Sequence, residues 1–125
     1  MEGSILADIR RSVGAEEWDD AFDVELIDHT NSVFMILTQM GLGPAEGYVI
    51  EDEDNQWSEF ISDPVKYRLV KAYMGLKVRL LFDPPLSSAV MQSMNNQIAE
   101  YEWRLTAAAE LDKSNGEEES QNGEL

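Results

Sequence analysis

The single histidine, His29, sits beside Asp28 and one helical turn beyond Glu25, so a carboxylate–imidazole pair is the first chemistry the chain offers. At i, i+4 spacing Glu25 and His29 make a local helix contact. A catalytic base or a metal ligand needs further converging groups, and the sequence supplies none. Asp52, Asp54 and Gln56 have the alternate spacing with which a calcium loop begins, but the glycine required at its sixth position falls on Trp57. An acidic surface loop is the expectation there. Gly41-Leu42-Gly43-Pro44-Ala45-Glu46-Gly47 has the glycine density of a phosphate-binding loop, yet it lacks a Lys-Ser/Thr ending and follows a helix rather than a strand. It reads as a turn. The absence of cysteine excludes disulfides, thiolate zinc sites and cysteine nucleophiles. No catalytic residue, cofactor or metal ligand is expected, and the chain reads as a binding or assembly module, not an enzyme.

What remains is charge and helix. Nine Lys+Arg stand against 25 Asp+Glu, a net charge of -16 over 125 residues. That length suits one domain, and 43% hydrophobic with 9% aromatic residues suits a packed core. The charge argues against a broad grip on nucleic-acid phosphates. No apolar run approaches the roughly 20 residues of a membrane span, and no signal-peptide pattern opens the chain, so a soluble protein without membrane contact is expected. The charges are segregated. Fourteen acids and no Lys or Arg lie between Arg11 and Lys66, whereas Lys66, Arg68, Lys71, Lys77 and Arg79 occur with no acid before Asp83. Such a pattern suits an acidic face meeting a basic one, within a subunit or between copies.

The elements that must position these faces read as four helices. Ser4 caps a short first helix running to about Val13, with Gly14 as its stop. Leu26, Ile27, Val33, Phe34, Leu37 and Met40 recur at helical spacing and predict a second helix over about Asp23 to Met40, broken by Gly41, Gly43, Pro44 and Gly47. Tyr48-Val49-Ile50 is the one strand-like stretch. Asp63-Pro64 starts a third helix, on which Leu69, Tyr73, Leu76 and Leu80 form a stripe, and Asp83-Pro84-Pro85 ends it. Ser87 or Ser88 caps the last helix. There Met91, Ile98 and Leu105 lie seven apart, as do Met94, Tyr101 and Ala108, two interleaved heptad positions. From Ser88 to Asp112 that helix spans about 37 Å, long enough to project toward a partner. Glu100 and Arg104 can pair on its flank. Trp103 lies off the seam, either covered by a partner or laid flat over its own chain, and Trp57 belongs to the core. The expected fold is therefore all-α. It is a small helical bundle, residues 1–112, with a long projecting C-terminal helix and a Gly-rich, acidic loop before the Pro-initiated helix. Residues 113–125 form an acidic flexible tail.

Several segments resemble those of small tailed-phage virion proteins, the head–tail connector (adaptor, head-completion) family. They are Ser4-Ile5-Leu6-Ala7-Asp8-Ile9-Arg10, Leu26 to Phe34, Gly41-Leu42-Gly43-Pro44, Val70 through Phe82-Asp83-Pro84-Pro85, and Glu100 to Leu105. The similarity covers about residues 4 to 110. It implies a structural virion protein that assembles as a homo-oligomeric ring of twelve copies below the portal protein. In the neck of the virion, after assembly in the host cytoplasm, the ring would extend the DNA channel and dock a stopper or tail-completion protein. Double-stranded DNA would pass without specific binding, as the acidic charge favours. On this reading Lys66, Arg68, Lys71, Lys77 and Arg79 form one side of the subunit contact and Glu51, Asp52, Glu53 and Asp54 the other. Tyr101, Trp103 and Arg104 face the portal. The alternative from another class is an acidic DNA mimic or regulator that occupies the groove of a basic nucleic-acid-binding partner.

Overall fold

Ser4 starts the fold, its hydroxyl accepting from the Ala7 N–H at 3.2 Å, and α1 (Ile5–Ser12) follows. In this computed structural model the backbone is described over residues 3–123 and the side chains over residues 3–112. Next come α2 (Asp23–Met40), a single 3-10 turn (Trp57–Glu59), α3 (Pro64–Phe82) and α4 (Ser88–Gly123). Among the described residues there is no strand, and the fold is an all-helical bundle, as expected. The capping signals act as anticipated. Asp63 accepts from the Val65 and Lys66 N–H groups at 2.8 and 3.2 Å, with Pro64 at the first helical position. Gly41 closes α2 in the left-handed conformation, and Ser87 Oγ accepts from the Val90 N–H at 3.4 Å at the head of α4.

The third helix occupies the centre and packs against α1, α2 and α4. That position shifts its buried face from the one its sequence stripe suggests. Val70, Tyr73, Met74 and Val78 are fully buried, while Leu69, Leu76 and Leu80 are half-buried against the edge of the core. A helix with neighbours on three sides has no single apolar stripe. On α4 the heptad residues are buried as well: Met94, Ile98, Leu105 and then Ala109 face inward, with Tyr101 half-buried beside them. Their seam therefore packs on α3 of the same chain. The acidic tail expected over residues 113–125 lies outside the described side chains.

Between α2 and α3 the chain crosses the bundle with an aromatic cluster beneath it. The Phe34 ring meets Tyr48 at 5.0 Å and Phe60 at 4.7 Å between centroids, and Trp57 meets Tyr67 at 6.0 Å. Trp57 is fully buried, and its indole N–H donates to Asp8 Oδ2 at 2.8 Å. Tyr48-Val49-Ile50 is extended but pairs with no strand. Instead the Asn31 side-chain amide serves as its partner, donating to the Ile50 carbonyl at 3.0 Å and accepting the Ile50 N–H at 2.8 Å. An Asn reaching out from a helix satisfies both backbone groups that a sheet would otherwise satisfy.

Gly43 is required twice over in this crossing. Its φ is +73°, and a Cβ there would fall inside contact distance of the Phe60 ring. Gly43→Ala should destabilise the chain by about 2–4 kcal/mol, the sum of left-handed strain and overpacking. Urea unfolding checks this, and a loss below about 1 kcal/mol would mean that Phe60 moves aside without cost.

Candidate functional site

The groups that could do chemistry are used for structure. His29 is half-buried and makes no ion pair with Glu25 or Asp28 among the described residues. In the acidic loop Asp52 Oδ1 accepts from the Asp54 N–H at 2.8 Å, and Asn55 Oδ1 accepts from the Glu51 and Asp52 N–H groups at 2.7 and 3.3 Å. These side chains turn the backbone. At the glycine-rich segment the Gly41, Leu42 and Gly47 N–H groups donate to the carbonyls of Thr38, Leu37 and Pro44. Those three amides are engaged in turning the backbone.

Glu59 closes the loop: its Oε1 accepts from the Gln56 N–H at 2.6 Å and from the Tyr48 hydroxyl at 3.1 Å. The Gln56 amide first, then the Tyr48 hydroxyl, hold the Glu59 carboxyl below its ordinary value of 4.5. Burial first, then the hydrogen bond to Glu59 and its charge, push the Tyr48 phenol well above its own. A depressed carboxyl stabilises the fold above the unfolded value and loses that contribution as pH falls through the folded value. Glu59→Gln should therefore be less stable than the native chain at neutral pH, with the gap narrowing below pH 4.5. Urea midpoints at the two pH values test this, and a gap that stays constant would remove Glu59 from the acid response.

Two flanks of opposite sign remain, one on each side of α1. The acidic flank is organised by Arg10, whose side chain is only 3% exposed. Its Nε and Nη2 donate to the two oxygens of Asp23 at 2.9 and 2.6 Å, and Nη1 donates to the Glu17 carbonyl at 2.6 Å and to Glu53 at 3.1 Å. One guanidinium thus ties α1 to the linker before α2, to the first turn of α2 and to the acidic loop. Glu51, Asp52, Glu53 and Asp54 are all exposed, and of the four only Glu53 makes an ion pair among the described residues.

On the basic flank α3 presents Lys71, whose ammonium lies 3.3 Å from Asp8 and 5.8 Å from the centre of the Tyr67 ring. Lys66 pairs with Asp112 and so joins α3 to α4. Arg68 and Arg79 are exposed and Lys77 is half-buried, each without an ion pair among the described residues. The structure does not bring the basic residues of α3 onto the 51–54 loop within one chain.

The outward side of α4 carries the third group. Arg104 and Glu100 form the i, i+4 pair at 2.8 Å. Trp103 is 72% exposed, which excludes the arrangement in which it lies flat over its own chain. Tyr101 is half-buried on the seam. Behind it Glu102 accepts from the Tyr73 hydroxyl at 2.8 Å, and burial together with that carboxylate pushes the phenol far above its ordinary value.

Sequence reasoning missed Arg10 and Asn31. The signal for Arg10 is an arginine one turn after buried Leu6, with no acid three or four residues away on its own short helix, so its partners had to come from elsewhere. Asn31 had no comparable signal, because its partner lies in an irregular segment.

A family model described as phage connector protein matches residues 5–112 of the chain. No curated protein and no solved structure matches it.

Proposed function

The chain belongs to the phage connector protein family, and from that membership we propose that it is a structural subunit of the virion neck, joining head to tail. The observation that carries this is the family match across nearly all the described side chains. Copies assemble head to tail as a ring of twelve beneath the portal protein, and the ring continues the DNA channel toward a stopper or tail-completion protein. The segregated charges support it: a cyclic contact joins one face of a subunit to a different face of the next. Here Lys66, Arg68, Lys71, Lys77 and Arg79 form the basic side, and Glu51, Asp52, Glu53 and Asp54 belong to the acidic one. Tyr101, Trp103 and Arg104 meet the portal, where an exposed indole beside an arginine has the composition of an interface hot spot. The surplus of acids lets duplex DNA pass without adhering.

Native mass spectrometry of the chain mixed with the portal ring of the same phage tests this. The expected spectrum shows the portal mass increased by a full ring of copies. No adduct at micromolar concentration would overturn the reading and turn attention to a basic protein partner, as the DNA-mimic alternative requires.

A further inference from the structure

The linker between α1 and α2 holds a large apolar side chain that stands in the open among the described residues. Trp18 is 79% exposed and stands between Glu16-Glu17 and Asp19-Asp20. Its segment is nevertheless fixed. Arg10 holds the Glu17 carbonyl, Arg11 lies 2.8 Å from the Glu17 carboxylate, the Asp19 N–H donates to the Glu16 carbonyl at 3.1 Å, and the Asp23 N–H donates to that of Asp20 at 3.2 Å. A pinned backbone presenting one bare indole has already lost the freedom that binding would otherwise remove. Glu16 and Asp20 make no ion pair among the described residues.

Across α1 lies a groove of about 460 Å³, lined by Ser12, Tyr67, Arg68, Lys71, Ala72 and Gly75. Its floor is made of small residues. At Gly75 a Cβ would stand 3.0 Å from Ser12 Oγ, so the glycine sets how closely α1 and α3 approach. The Tyr67 ring and two cations form its walls. Trp18 does not line this groove in its own chain, although its neighbour Glu17 is linked through Arg11 and Asp8 to Lys71 at the rim.

We propose that the Trp18 segment of one copy docks in the Ser12–Tyr67–Arg68–Lys71–Gly75 groove of a second copy. This names the subunit contact of the connector reading and rests on it. The indole fills the groove, where Arg68 and Lys71 approach its face, and Glu16 and Asp20 pair with the same cations at the rim. The complementarity is specific: four acids surround the indole, and both charged residues lining the groove are basic. Plug and socket are different patches of the chain, so the contact joins unlike surfaces and suits propagation around a ring. The acidic 51–54 loop shares this contact, because one Arg10 nitrogen holds both Glu17 and Glu53.

Sedimentation velocity of the full chain over rising concentration tests the contact. The native chain should self-associate, and Trp18→Ala should weaken association about thirtyfold, as removal of a hot-spot aromatic does. Its circular dichroism should not change. A charge exchange adds a control that misfolding cannot mimic. Glu16→Lys with Asp20→Lys in one chain, and Arg68→Glu in another, should each remain monomeric alone and associate when mixed. Equal association of native and Trp18→Ala chains, or a mixture no better than its components, would overturn the proposal. So would a native chain that stays monomeric at about millimolar concentration. Loading of Trp18→Ala on the portal as a full ring would overturn the docking alone, whereas a native chain that neither self-associates nor loads would overturn the connector reading with it.

Discussion

Arg10→Met should lower stability by about 3–5 kcal/mol, the largest loss expected from a single charged residue in this chain. Methionine keeps the hydrophobic stem, so packing changes little and the loss is electrostatic. Asp23 would lose a two-pronged donor pair at 2.9 and 2.6 Å, and Glu53 and the Glu17 carbonyl would lose their donor. Two carboxylates would then face each other with the intervening cation gone. The hydrogen bonds to Asp23 first, and those to Glu53 after them, hold the guanidinium above its ordinary value. It is charged at every pH at which the protein folds, so the effect is read at neutral pH, where its carboxylate partners are ionised too. Thermal unfolding followed by circular dichroism should show a midpoint about 15 °C below native. Arg10→Lys should fall between the two, since an ammonium keeps the charge but cannot span both Asp23 oxygens. A midpoint within about 3 °C of native for Arg10→Met would mean that the acidic segments hold their places without it.

Where a local signal decided the structure, the sequence was legible. Ser4, Asp63-Pro64, Gly41 and Asp83-Pro84-Pro85 place helix ends through hydrogen bonds and φ values of adjacent residues, and α2 runs over the residues its periodicity marks. The errors lie where the deciding partner is remote. The α3 stripe was misplaced because three other helices, not one, cover that helix. The α4 heptads promised a partner helix correctly, but nothing in a seven-residue repeat tells whether that partner is another copy or the same chain's own α3. Tyr48-Val49-Ile50 has the composition of a strand, and an asparagine about twenty residues away takes the place of its neighbour. The charge segregation is visible in the sequence. That Arg10 gathers two of the acidic segments, leaving Arg68 and Arg79 without an ion pair among the described residues, is visible only in the fold.

Trp57→Ala should cost about 4 kcal/mol, at the upper end of what core truncation removes. The indole is fully buried between Phe34 and Tyr67, and its loss would leave a cavity that the irregular 41–63 segment must collapse to fill. Trp57→Phe separates packing from hydrogen bonding. It keeps an aromatic ring in the cluster but withdraws the donor at 2.8 Å from Asp8, and about 1–2 kcal/mol is the expected loss. Asp8 would not be left alone, because Arg11 and Lys71 also contact its carboxylate. That shared carboxylate joins the core to the basic flank. With the indole donor gone, Asp8 would draw Lys71 closer and away from the rim of the groove beside Arg68. Trp57→Phe should therefore weaken self-association of the chain by a few-fold although Trp57 is not exposed, and Trp57→Ala, which also loosens the packing around Asp8, should weaken it further. Urea unfolding gives the first pair of numbers and sedimentation the second. A phenylalanine variant that unfolds like native yet associates less well would place the coupling in Asp8 alone. Equal association of the phenylalanine variant and the native chain would show that Asp8 holds Lys71 in position without help from the core.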